Sequence, residues 1–107
     1  MQSHTSKNIL QEADELTRID RHNSYGAPKQ DFERTAKMWS AILNTEVSAR
    51  QIALCMIALK LSRLAYRMKR DSIVDVAGYA RTLEMIDESE NKHEQSKMDS
   101  RRRNKKR

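Results

Sequence analysis

The sequence predicts an all-α protein: a compact four-helix domain, dimeric through an apolar central helix, followed by a disordered basic C-terminal stretch. Three observations carry this. Turn-forming residues are scarce, with two glycines and one proline in 107 residues. Ala, Leu, Glu, Lys, Arg and Met, the best helix formers, dominate, and β-branched runs are few. Apolar residues recur at spacings of three and four, the period of a helix with one buried face.

The first helix is expected from about Ser6 to Ile19, with Ile9, Ala13, Leu16 and Ile19 forming its stripe. The polar stretch from Asp20 to Ala27 holds Gly26 and precedes Pro28, which marks a loop. Pro28 suits the first turn of a helix, where its missing N–H has no intrahelical role. The second helix then covers Pro28 to Leu43, its stripe made by Phe32, Ala36, Trp39 and Leu43. Ser48 followed by Gln51 is a capping-box signature, so the third helix starts at Ala49.

Residues Ile52 to Leu59 of that third helix are apolar all round, which demands enclosure by the chain itself or by a second copy. Cys55 within it reads as an inert buried thiol, and Met38, Met56, Met68 and Met85 read as core filler. The helix is expected to end near Met68–Arg70, where cations favour the negative end of the helix dipole. Asp71 then caps a fourth helix over about Ser72–Glu88, with Ile73, Val76, Ala77, Ala80, Leu83 and Ile86 buried. Beyond Ile86 the apolar residues nearly vanish. The helical domain is therefore placed at 6–88 and a charged, disordered segment at 89–107. An ordered part of about 80 residues buries just enough apolar surface to be marginal on its own, which again favours self-association.

Charge is segregated. The net charge is +6, and residues 101–107 alone contribute six positive charges, leaving fifteen of each sign in residues 1–100. Arg101, Arg102, Arg103, Lys105, Lys106 and Arg107 could neutralise phosphates. If all six did so on duplex DNA, log K against log salt would slope at about −5. A solvated segment without a dedicated partner is the plainer alternative. No apolar run approaches the ~20 residues of a membrane span, the N-terminus has no apolar leader, and one cysteine allows no internal disulfide. A cytoplasmic location is expected.

Phosphate-binding glycine loops, zinc-binding histidine motifs and cysteine clusters are all missing from the sequence. Three polar sets remain. Glu12 and Glu15 share a helix face and are weak candidates, with Asp75, for a divalent cation; a solvated acidic face is the alternative. Lys60, Arg63 and Arg67 form a cationic stripe that either snorkels past apolar neighbours or faces an anion. Asp71, Asp75, Gly78 and Tyr79 open the fourth helix, and Asp75, set among apolar residues, needs a cation that Lys60 or Arg63 can supply. A glycine in mid-helix costs about 1 kcal/mol against alanine, which implies a close neighbour at Gly78.

Asp20-Arg21-x-x-x-Tyr25-Gly26-x-Pro28, Phe32, Trp39, Lys60-x-x-Arg63 and Asp71-x-x-x-Asp75-x-x-Gly78-Tyr79 together resemble a small helical domain family of unknown function, common in bacteriophages and prophages. The resemblance covers roughly residues 9–86 and implies a phage origin and an all-α fold. In layout the chain is also similar to the all-α nucleotide pyrophosphatases of the MazG type, which hold Mg²⁺ between an E-x-x-E and an E-x-x-D. That similarity implies Mg²⁺-dependent hydrolysis of a nucleotide. The chain departs from the pattern, with Lys60 and Arg63 where the first carboxylates would stand and a spacing of four between Asp71 and Asp75. Glu12-x-x-Glu15 can substitute only if the first helix packs beside the fourth.

Three functions follow as expectations. The first is a protein that binds or processes a nucleotide, with Arg21, Lys60 and Arg63 on phosphates, Tyr25, Trp39 or Tyr79 on the base, and Asp71 and Asp75 completing the site. The second is a nucleic-acid-associated protein acting through its basic C-terminal residues. The third is a factor that binds a host protein and no small ligand.

Overall fold

The computed structural model describes residues 7–20 and 26–105, and all its regular elements are helical. They are α1 (Ile9–Glu15), a π-helical turn (Leu16–Asp20), α2 (Pro28–Leu43), α3 (Ala49–Tyr66) and α4 (Arg70–Lys105). Helix α4 is the spine: α1 and α3 both pack along its first half, and α2 lies against α3 and α4. No described helix is long and apolar enough to cross a membrane.

Each start has a local cause. Asn8 and Gln11 form a reciprocal capping box at α1, with Gln11 N donating to Asn8 Oδ1 at 2.8 Å and Asn8 N donating to Gln11 Oε1 at 2.9 Å. The single helix expected over residues 6–19 instead widens at Leu16 into the π turn. Thr17, 1% exposed, sits there with its hydroxyl donating to the carbonyls of Ala13 and Asp14. Such back-bonding lets a hydroxyl be buried and disturbs the regular ladder.

Helix α2 begins on Pro28 and is capped after Leu43 by Asn44, whose φ of 53° puts it in the left-handed region that stops a helix. Ser40 ties down the following turn: its hydroxyl donates to Ala36 O at 2.7 Å and accepts from Val47 N at 2.9 Å. The Ser48–Gln51 capping box then starts α3 at Ala49, as its spacing predicts. Val47 and Ile52 stand at the positions of a hydrophobic staple, Ile52 in the core and Val47 packed against it.

The core joins Phe32 and Ala36 of α2, Ala49, Ile52 and Ala53 of α3, and Tyr79 and Ile86 of α4. Trp39, Met56, Ile57 and Leu83 close over it. Several expectations need correction. On α4 the buried face is Ser72, Val74, Gly78, Tyr79, Thr82 and Ile86, while Ile73, Val76, Ala77 and Leu83 are only partly covered and Ala80 is exposed. Because α1 and α3 flank α4 on two sides, its buried arc reaches polar positions, and Thr82 enters it by donating its hydroxyl to Gly78 O. Leu43, Met38 and Met68 are exposed, and so is Cys55, on the side of α3 turned away from its neighbours.

Where a charged, disordered segment is expected after Glu88, the structure carries α4 on through Lys105. Residues 88–105 contain neither glycine nor proline. Local pairs join Asn91 to Asp87 and Gln95 to Asp99, one turn apart, and the arginines fall at the end where the helix dipole favours cations. Burial fails there but helix propensity does not. Every side chain from Glu90 to Arg103 is exposed, with Met98 46% so. The helix start is also earlier than expected, with Asp71 inside the first turn and Ile73 N donating to Lys69 O at 3.3 Å.

Candidate functional site: a cationic cleft at the α3–α4 turn

Helix α3 stops at Tyr66, and only three residues separate it from α4. The last turns of α3 and the first turn of α4 therefore meet edge to edge, and between them lies a cleft of about 590 Å³. Lys60, Ser62, Arg63 and Tyr66 line it from α3, Arg67 and Lys69 from the turn, and Asp71, Ser72 and Asp75 from α4. Four cations thus face two carboxylates.

At the cleft's inner side Lys60 Nζ lies 2.9 Å from Asp75 Oδ2, with the two side chains 14% and 23% exposed. This is the pairing the sequence requires of Asp75. The remaining cations are different. Among the described residues Arg63, Arg67 and Lys69 have no carboxylate partner, and all three are exposed. The N-terminal turn of the 36-residue α4 adds unsatisfied N–H groups and the positive end of its dipole. Tyr66, 93% exposed, offers an aromatic face on the same cleft.

The expected site residues divide sharply. Lys60, Arg63, Asp71 and Asp75 converge on the cleft. Tyr79 does not: it is 7% exposed, and its ring packs on Phe32 with centroids 6.1 Å apart, so core packing occupies the face a base would need. Trp39 lies on α2 against the core, away from the cleft. Arg21 and Tyr25 lie outside the described residues, as do Lys106 and Arg107, while Arg101, Arg102, Arg103 and Lys105 sit on the far end of α4. Tyr66, Lys69, Ser62 and Ser72 are additions that the sequence reading missed. Tyr66 three residues after Arg63 was the available signal, since that spacing puts both on one helix face.

The acidic pair on α1 is engaged elsewhere. Helix α1 does pack beside α4, as a substitute carboxylate pair would require. Yet Glu12 pairs with Arg70, which also donates to Lys7 O at 2.7 Å, and Glu15 pairs with Lys7. Among the described residues no three acidic, histidine or cysteine side chains gather as metal ligands would. Nor is the approach at Gly78 tight, for a Cβ there would meet Thr17 Cγ2 at 3.8 Å, an ordinary contact.

A small all-α domain bearing a cationic cleft is thus the class that fold and site define. The chain belongs to the family described as a domain of unknown function (DUF6378), whose model matches residues 8–87. It is similar to the "Gene 55 protein" of Mycobacterium phage D29, 38% identical over 82 residues, which are 76% of this chain and 54% of that protein. It is also similar to the "Gene 55 protein" of Mycobacterium phage L5, at 36% over 80 residues, 73% of this chain and 51% of that protein. The chain spans about half the length of these curated relatives. No solved structure matches it. The matched region contains the whole cleft and stops before the basic end of α4.

Proposed function

We propose that this phage-type domain binds a nucleotide or a nucleotide-derived ligand in the α3–α4 cleft. Arg63, Arg67 and Lys69 hold its phosphates, Lys60 stays on Asp75 at the inner wall, and Tyr66 stacks on the base. The observation that carries this reading is the set of three exposed cations with no carboxylate partner among the described residues, gathered around one helix N-terminus. Arginine forks and helix-terminal N–H groups both suit phosphate oxygens. A network serving the fold alone would need Lys60 and Asp75 but would leave the other three cations without a purpose.

The test is a thermal-shift panel of nucleotides, deoxynucleotides and cyclic dinucleotides, with inorganic phosphate as control, each with and without Mg²⁺. A ligand at a hundred times its Kd stabilises the fold by about 2.7 kcal/mol, which is many degrees for a domain of this size. The shift should disappear in Arg63→Ala and Arg67→Ala. Product analysis of each hit in Mg²⁺ separates hydrolysis from binding. A panel without any shift rejects the reading.

A second reading rests on a different observation, the continuous helix on which Arg101, Arg102 and Arg103 are all exposed. Such an arm suits nucleic-acid phosphates. It predicts duplex binding that is lost on deleting residues 101–107 and weakens steeply with salt.

A further inference from the structure

Helix α3 carries a second apolar stripe that the chain's own core does not use. Leu54, Ala58, Leu61 and Ala65 follow one another at spacings of four, three and four, the seam spacing of paired helices. All four are exposed, with Leu54 at 50% and Leu61 at 52%. At ~100° per residue they stand on the far side of α3 from Lys60 and Arg63, so the seam and the cleft do not compete for one surface.

We propose that this seam is the contact between two copies of the chain, with α3 packed antiparallel on the partner's α3. The seam is self-complementary in that orientation. A two-fold axis between Leu59 and Lys60 sets Leu54 against the partner's Ala65 and Ala58 against the partner's Leu61. Every layer is then one large residue on one small residue, whereas a parallel pairing stacks leucine on leucine and alanine on alanine. Interdigitation of that kind lets the helices approach closely.

Charge selects the same occupant. No charged side chain lies on the seam from Leu54 to Ala65, which gives phosphates or acidic peptides nothing to bind. Arg50 at its edge is neutralised by Asp87 and Glu90 at 2.8 and 2.7 Å. Size sets the strength. A single helix face falls below the ~800 Å² per partner of a standard interface, so the dimer belongs to the small, reversible class and dissociates at micromolar concentration.

Sedimentation velocity of the full chain, without ligand and across about two decades of micromolar concentration, tests this directly. The expected result is a monomer–dimer shift. Leu54→Glu and Leu61→Glu should abolish it and leave the circular dichroism spectrum unchanged, since both leucines are already half exposed. Ala58→Leu separates the proposed packing from general stickiness: it adds apolar surface but overfills the layer opposite Leu61, and should weaken association about tenfold or more. A monomer at every concentration overturns the proposal. So does a tighter dimer in Ala58→Leu, or a dimer indifferent to the glutamates.

Discussion

At the scale of single residues, the structure separates side chains that look alike in the sequence. Lys60 and Arg63 lie three apart on one helix, yet Lys60 is spent on Asp75 while Arg63 faces solvent. Lys60→Ala takes the lysine from a carboxylate only 23% exposed and should destabilise the fold by about 1–3 kcal/mol. Arg63→Ala should cost less than about 0.5 kcal/mol while removing ligand binding. Urea denaturation of the two variants, read beside their ligand response, checks the division of labour. Gly78 gives a prediction of the opposite sign. Its mid-helix backbone is helical and the nearest neighbour of an added methyl lies at 3.8 Å, so Gly78→Ala should stabilise by up to about 1 kcal/mol. The denaturation midpoint should rise with an unchanged slope.

At the scale of elements, the short turns set where helices begin, and the caps set the turns. Ser48 accepts from Gln51 N and Ser40 holds Val47, so the α2–α3 connection is fastened at both ends. Ser48→Ala should cost about 1 kcal/mol, seen as a lower thermal midpoint, because it leaves a helix-terminal donor without its partner. The second half of α4 behaves differently. Its helix rests on propensity and one-turn pairs, with no buried side chain beyond Ile86 among the described residues. Ser96→Pro should therefore lower the helical signal and leave the melting of the body unchanged. A large loss of thermal stability in that variant would mean that the arm packs on something.

At the scale of the whole molecule, α4 makes the shape. The radius of gyration is 17.7 Å and the principal extents are 68 × 37 × 23 Å, against about 13 Å of radius for a compact chain of this length. Small-angle scattering at low concentration should return the larger value, and truncation after Glu90 should bring it down. The same helix separates the two charged regions. From Asp71 to Arg101 is thirty residues, or ~45 Å at 1.5 Å per residue. Deleting residues 101–107 should accordingly leave the affinity of any ligand found for the proposed cleft site within about twofold, a change below 0.5 kcal/mol. Titration of the truncated chain with the same ligand measures that independence.

The sequence by itself determined the helical class, the extent of α2, the start of α3 at its capping box and the need of Asp75 for a cation. These are local matters: a proline at the first turn, a serine three residues before a glutamine, and a carboxylate set among apolar neighbours each carry their own physical consequence. It also placed half of the cleft, because Lys60 and Arg63 share a helix face and Asp71 and Asp75 share another. Only the tertiary structure decided the rest. The rotation of α4, which buries Tyr79 against Phe32 and leaves Ala80 outside, follows from α1 and α3 flanking one helix. Tyr66 and Lys69 join the cleft because a three-residue turn folds the end of α3 onto the start of α4. Glu12 is taken by Arg70, 58 residues away. Periodicity tells which residues can share a face of one helix, but which face meets a neighbour is set by packing between helices, and that is a property of the assembled fold.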